Sequence, residues 1–244
     1  FNGGSLQTLG GTNATTFNNL TINNASGVNL GNDATVGNTL TLTNGALGVG
    51  THALTLNGGT SVTGGSLTSA ATGTVHYNQS SNGQSVLATN YGNLTFSNFT
   101  KTLPNGSTVK IAGTFTTGAA GGHTLTGSTI EFNGSGAQNL PSNFTTYNNL
   151  TLNNAAGTSG FSGLTAQGLL HVAKGTFTSD NATFNNVQID NANSSTLAGV
   201  NNTTINVTGN WANNGAFTHN SNTINFNGNN NTQTISGSSA SPFN

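Results

Sequence analysis

Apolar and polar residues alternate in short runs along most of this chain. Thr39-Leu40-Thr41-Leu42-Thr43, His52-Ala53-Leu54-Thr55-Leu56, Thr129-Ile130-Glu131-Phe132-Asn133 and Thr204-Ile205-Asn206-Val207-Thr208 all have period two. A strand of this kind sends its apolar side chains to one sheet face and Thr, Asn or Glu to the other. Gly and Asn punctuate the runs, as at Asn44-Gly45, Asn57-Gly58, Asn105-Gly106, Asn133-Gly134 and Asn227-Gly228. These dipeptides supply the positive φ angles of tight turns. No amphipathic helix is evident. Strands of about five residues separated by turns predict an all-β fold.

A larger unit recurs above the strands. An aromatic-Asn pair opens it, a Gln follows two residues before an apolar residue, and a second aromatic precedes an Asn-rich strand. The first copy holds Phe1-Asn2-Gly3, Gln7-Thr8-Leu9 and Phe17-Asn18-Asn19-Leu20-Thr21-Ile22. The second holds Tyr77-Asn78, Gln84-Ser85-Val86 and Tyr91-Gly92-Asn93-Leu94, and the third Phe132-Asn133-Gly134, Gln138-Asn139-Leu140 and Tyr147-Asn148-Asn149-Leu150. The fourth runs from Phe226-Asn227-Gly228 through Gln233-Thr234-Ile235 to Phe243-Asn244, and a partial echo spans Phe184 to Ala192. Spacing inside each copy is nearly constant while the gaps between copies vary, as expected when insertions fall in turns. The chain thus reads as a single continuous array over 1–244, with units starting near 1, 77, 132 and 226, the last truncated. Matching half-units at the two ends suggest a segment of a longer repetitive protein, or ends that meet those of neighbouring copies. A start at Phe1 without Met fits a processed or excised region.

Composition sharpens this picture. Only 3% of the 244 residues are charged, against roughly 25% in ordinary soluble domains. The cations are Lys101, Lys110 and Lys174, the acids Asp33, Glu131, Asp180 and Asp190, and the net charge is −1. That charge gives no field for steering nucleic acid, and its absence removes repulsion between copies. Disorder is set aside because thirteen Phe, three Tyr, one Trp and a regular supply of Leu, Ile and Val can form a core. Without Cys there is neither a disulfide framework nor a thiolate metal site. No apolar run approaches the roughly 18 residues of a membrane span.

The lines Phe17-Asn18-Asn19-Leu20-Thr21-Ile22-Asn23-Asn24-Ala25, Leu40-Thr41-Leu42-Thr43-Asn44-Gly45 and Gly50-Thr51-His52-Ala53-Leu54-Thr55-Leu56 resemble the β-strand-repeat surface proteins of bacteria. Those are secreted, adhesin-like proteins, often associated with Bacteroidota-type secretion. The resemblance covers most of the chain through degenerate, low-complexity motifs. It implies export, a β-solenoid or related all-β fold, and a role in surface attachment or extracellular structure. It brings no catalytic signature.

Two architectures satisfy the pattern. A right-handed parallel β-helix of about a dozen coils, each of roughly 20 residues and stacked at about 4.8 Å, buries Leu, Ile, Val and Phe inside. Asn and Thr ladders then run along its turns and faces. An antiparallel sandwich, or a string of small ones, is the alternative, because Asn-Gly suits two-residue hairpins. Either leaves open strand edges, which globular proteins usually block with charge or Pro. Here Pro occurs only at 104, 141 and 242. The expectation is a structural subunit or stalk segment of an extracellular fibre or cell-surface appendage, its copies pairing head-to-tail through strand edges. The alternatives are an adhesin stalk or a carbohydrate-binding module of a larger secreted protein, with glycans as partners.

Candidate chemistry is sparse. Asp180 and Asp190 are ten residues apart, with Glu131 and Asp33 distant, so no carboxylate pair for glycoside hydrolysis is marked. Glu131, flanked by Ile130 and Phe132, reads as a solvated strand position. His52, His76, His123, His171 and His219 stand alone, without metal-ligand spacing, and no acidic calcium loop is present. No catalytic, cofactor or metal site is therefore assigned, and no enzymatic activity is expected. Asn-x-Ser/Thr sequons abound, for example at Asn13, Asn19, Asn24, Asn93, Asn98, Asn143, Asn149, Asn181, Asn206 and Asn230, and permit glycosylation, at about the frequency chance would give. Trp211, Tyr77, Tyr91 and Tyr147 are candidates for stacking on sugars, but recurrence at one repeat position favours core packing.

Overall fold

The computed structural model describes residues 1–191, 194–228 and 232–243. Ala192, Asn230 and Asn244 of the motifs above fall outside them. The protein is all-β, with parallel strands stacked in about 11 turns: a β-solenoid. The chain divides into two compact units, Phe1–Leu125 and Thr126–Asn244.

In the first unit, the period-two runs become rungs of one ladder. Ala34, Leu54, Val75, Leu94 and Phe115 stack on successive coils, and Val36, Leu56, Tyr77 and Phe96 stack beside them. All nine are buried. A second stack pairs Leu20 with Leu40 and Ile22 with Leu42, and a third pairs Val28 with Leu47 and Leu47 with Leu67. Long strands such as Thr15–Asn23 and Ala34–Gly48 serve two faces by bending between them. The bend falls at register shifts between Phe17 and Asn19 and between Ile22 and Asn23, as β-bulges allow.

The second unit repeats the scheme. Ile130, Leu150, Leu170, Val187, Trp211 and Ile235 form one ladder, and Phe132, Leu152, Val172 and Ile189 another. Tyr147, Ala166, Phe184, Val207 and Phe226 stack on the adjoining face. The remaining face is a sheet of five strands through Thr158, Phe177, Leu197 and Phe217.

Every strand pair given for the described residues is parallel, which excludes the antiparallel sandwich. Asn-Gly does make a turn at Gly106, with φ of 67°, and at Gly45 a φ of 74° bends the strand Ala34–Gly48, but both are coil corners and not chain reversals. The cause is long-range. Apolar positions about one coil apart stack like on like, so each strand gains more by pairing with its equivalent on the next coil than with its chain neighbour. Aromatic residues reinforce the stacks edge-on, with ring centroids 6.1 Å apart for Tyr77–Phe96, 5.1 Å for Phe96–Phe115 and 5.0 Å for Trp211–Phe217.

Candidate functional site

The repeat motif marks corners, not chemistry. Gln84 is 2% exposed, and its Nε2 donates to the carbonyls of Leu56 and Gly58 on the preceding coil, both at 2.8 Å. Its Oε1 accepts the Gln79 N–H at 3.1 Å. Gln233 repeats this geometry, with Nε2 donating to Val207 and Gly209 and Oε1 accepting from Gly228. In Gln7 and Gln138, Oε1 takes the N–H of Gly3 and Gly134, together with the Nδ2 of Asn24 and Asn154. The nearly constant distance from aromatic to Gln is thus the length of one corner. The sequence carried that signal, although the role it encodes is visible only in three dimensions.

A second corner device uses a buried Asn, which ends Asn-Asn before Ala at Asn24 and Asn154 and opens Asn-Asn-Gly at Asn213. Asn24, Asn154 and Asn213 are fully buried. Each donates Nδ2 to a carbonyl on another coil (Ser5, Gly136 and Ala240) and accepts at Oδ1 the N–H two residues on. A third device lies on the surface, where an Asn Oδ1 accepts a backbone N–H one coil later. Asn19 serves Thr39, Asn93 serves Thr114, Asn98 serves Ala119, Asn149 serves Leu169 and Asn181 serves Thr204. Where a register shift interrupts the ladder, as beside Asn19 and Leu169, the side-chain amide supplies the missing acceptor.

These devices sort the sequons. Asn24 is buried with both amide atoms engaged, so it is closed to glycosylation in the folded chain. Asn19, Asn93, Asn98, Asn149 and Asn181 use their side chains in the ladders. Asn206 accepts Nδ2 from Asn225 at 2.9 Å. Asn13 and Asn143 are exposed. Asn13 has only a long 3.5 Å contact from its Nδ2 to Thr12 Oγ1. Asn230 lies outside the described residues.

Several titratable residues gather in three places. Asp33 and His52 are one coil apart, with Oδ1 to Nδ1 at 3.9 Å, and the same Oδ1 accepts the Ala53 N–H. His171 and Asp190 also sit one coil apart, Nε2 to Oδ2 at 2.8 Å, and Gln188 Nε2 donates to Asp190 Oδ1 at 2.8 Å. Partial burial works against the Asp190 carboxylate, but the bonds from Gln188 and His171 outweigh it and hold its pKa below the ordinary value. These two histidines are therefore not alone. Their partners 19 residues away become neighbours only when the chain is wound at that period. Glu131 is also not solvated: it is 8% exposed, and its Oε1 accepts Asn153 Nδ2 at 2.9 Å. Asn153 lies two residues beyond Thr151, the partner of Glu131 on the next coil, and so reaches its carboxylate.

Lys101 is the least expected group. It occupies on its coil the place Gln84 holds on the one before. Its side chain is wholly buried, and Nζ donates to Ser97 Oγ at 2.8 Å. Burial lowers its pKa to about 8. Burial, and then the Lys101 charge, depress the pKa of His76. Burial likewise lowers that of His123, against a bond with the Ala120 backbone and with the Lys101 charge acting alongside. The Lys101 N–H donates to His123 Nδ1 at 2.9 Å. Tyr77, Tyr91, Tyr147 and Trp211 are buried core, with the Tyr77 and Tyr91 hydroxyls bonded to one another at 2.7 Å. None of the four offers a sugar-stacking surface.

Among the described residues, no three His, Asp or Glu side chains gather as metal ligands. Among the described residues, no helix is long and apolar enough to cross a membrane. A shallow groove of about 300 Å³ is lined by Ser162, Gly163, Leu164, Asn181, Thr183 and Asn206, all uncharged. The strand edges are the other feature. Gln7–Leu9 pairs only with Val28–Leu30, and Thr223–Phe226 only with Thr204–Val207, among the described residues. Leu6, beside the first edge, is 58% exposed, and Ile235, in the strand Ile235–Ser236 that pairs with Trp211–Asn213, is 55% exposed. Comparison with known proteins gives no match to a family model, a curated protein or a solved structure.

Proposed function

We propose that the chain is a structural subunit or stalk segment of an extracellular fibre or cell-surface appendage, whose copies join head-to-tail through strand edges. The observation that carries this is the pair of uncharged edges. Gln7 N–H bonds to Gly27 O, so Thr8, next along the strand, turns its backbone N–H and C=O to the open side. At the other edge, Thr223 N–H bonds to Thr203 O and Asn227 N–H to Val207 O, which turns the backbone groups of Ile224 outward in the same way. Neither strand carries Lys, Glu or Pro to block pairing. Parallel strand addition at such edges is heterologous and does not close, so it yields filaments. The interior and corners are occupied by packing and backbone capping, which supports a structural role over catalysis. The resemblance to adhesin-like surface proteins agrees with an exported location.

Sedimentation and negative-stain electron microscopy of the chain over a range of concentrations test this reading. Regular polymers that lengthen with concentration are expected, and a monomer at the highest concentration reached would overturn it. The groove beside Asn181 and Asn206 favours a second reading, a carbohydrate-binding module within a longer adhesin stalk. Its neutral amides and hydroxyls suit sugar hydroxyls. Glycan-array binding that is lost on Thr183→Lys, with no polymer formed, would favour that reading instead.

A further inference from the structure

Eight Asn-Gly dipeptides occur in the chain: Asn2-Gly3, Asn44-Gly45, Asn57-Gly58, Asn82-Gly83, Asn105-Gly106, Asn133-Gly134, Asn214-Gly215 and Asn227-Gly228. Each is chemically able to deamidate. The backbone nitrogen of Gly loses its proton and attacks Cγ of Asn. The new C–N bond closes a succinimide, and the Cγ–Nδ2 bond breaks to release ammonia. Water then opens the ring at one of its two carbonyls, leaving aspartate or isoaspartate. The net change is gain of water and loss of ammonia, with no oxidant or enzyme required. The reaction needs a free Gly N–H and an Asn amide able to turn over it.

The corner devices deny one or both conditions at most of these sites. The N–H of Gly3, Gly134 and Gly228 is held by Gln7, Gln138 and Gln233 Oε1. Gly215 N–H is held by Asn213 Oδ1, while Asn214 Oδ1 accepts from Ser238. Gly83 N–H donates to Thr100, and Asn82 Oδ1 accepts the Thr100 N–H. The Asn57 amide accepts from Asn78, and Gly58 packs on the Asn38 backbone. Gly45 lies within the strand Ala34–Gly48, paired with Gly65 and packed on the Asn24 carbonyl.

Asn105-Gly106 is different. Both residues are exposed, in the turn between Lys101–Thr102 and Thr108–Ile111. Gly106 has φ of 67°, and a Cβ there would meet nothing within 4 Å. Among the described residues, neither the Asn105 side chain nor the Gly106 N–H makes a hydrogen bond. We infer that Asn105 is the chain's self-modifying site, where the folded protein acquires an aspartate or isoaspartate while the ladders protect the other seven amides. The product adds a negative charge to a molecule with only four acids. This inference is independent of whether copies assemble.

Folded chain aged in warm, mildly alkaline buffer and peptide-mapped by mass spectrometry, with isoaspartate detection, tests it. Asn105 is expected to convert at least about tenfold faster than any of the other seven, since each of those first requires local opening. In denaturant the eight rates should draw together, because the protection is structural. Asn105→Ser should remove most of the ammonia released by the folded chain. Faster conversion at any of the other seven sites, or ammonia release unchanged in N105S, would overturn the assignment.

Discussion

At the scale of single residues, the chain tolerates a buried amine where its pattern elsewhere places an amide. Lys101 stands in the row of Gln84 and is just as enclosed, so it carries a desolvation penalty that Gln does not. Below about pH 8 both the folded and unfolded forms are protonated and that penalty is fully present. Between about 8 and the unfolded value of 10.5 the unfolded chain binds more protons, so stability rises with pH. The rise is at most about 3 kcal/mol. Above the ordinary Tyr value of 10, the raised pKa of Tyr77, about 12 in the fold, reverses the slope, because the unfolded phenol ionises first. Lys101→Met should flatten the alkaline rise and stabilise the chain near neutral pH by about 1–3 kcal/mol. Urea midpoints measured from about pH 7 to about pH 10 check both. On the acid side, His76 and His123 have folded values below 6.5. The unfolded chain therefore takes up protons first, and stability falls as pH drops below 6.5.

At the scale of elements, the corners hold the strands in register. Gln84 makes three hydrogen bonds to backbone groups in a buried corner. Gln84→Leu keeps the volume but strands the Leu56 and Gly58 carbonyls and the Gln79 N–H. A loss of roughly 2–4 kcal/mol is expected by denaturant unfolding, larger than one hydrogen bond, since unmade buried groups carry their full desolvation penalty. Gly58→Ala tests the close approach of coils from the steric side. The added Cβ would collide with the Asn38 carbonyl and neighbouring backbone atoms, which cannot rotate away as a side chain can. Its cost should be about 1–3 kcal/mol, with the first unit's coils forced apart. Thr55→Ser, on an outward rung, should stay within about 0.5 kcal/mol.

At the scale of the whole molecule, the proposed polymer rests on backbone groups left unpaired at strand edges. Thr8→Pro removes an N–H that faces away from Val28–Leu30, so the internal pairing of that strand is kept. The variant should remain folded by far-UV circular dichroism and lose assembly in sedimentation. Wild-type polymerisation persisting in T8P would move the contact to another surface. The near absence of charge acts at this scale too. With a net charge of −1, association should respond weakly to salt, whereas a contact built on ion pairs would weaken as salt is added.

The sequence alone determined the strands, their inward faces, the aromatic core positions and the recurrence of the aromatic–Gln unit. All of these follow from period-two patterning and constant local spacing, which are short-range properties. Tyr77, Tyr91, Tyr147 and Trp211 were legible as core for that reason. Only the tertiary structure decided that Asn-Gly turns bend the chain onward and do not reverse it, because that choice depends on apolar residues a full coil apart stacking together. The same winding brings His171 to Asp190, Asn153 over Glu131 and Gln84 to the Leu56 carbonyl. These contacts span about one coil of chain, where no local pattern reports them, and the variable length of each turn sets which residues meet.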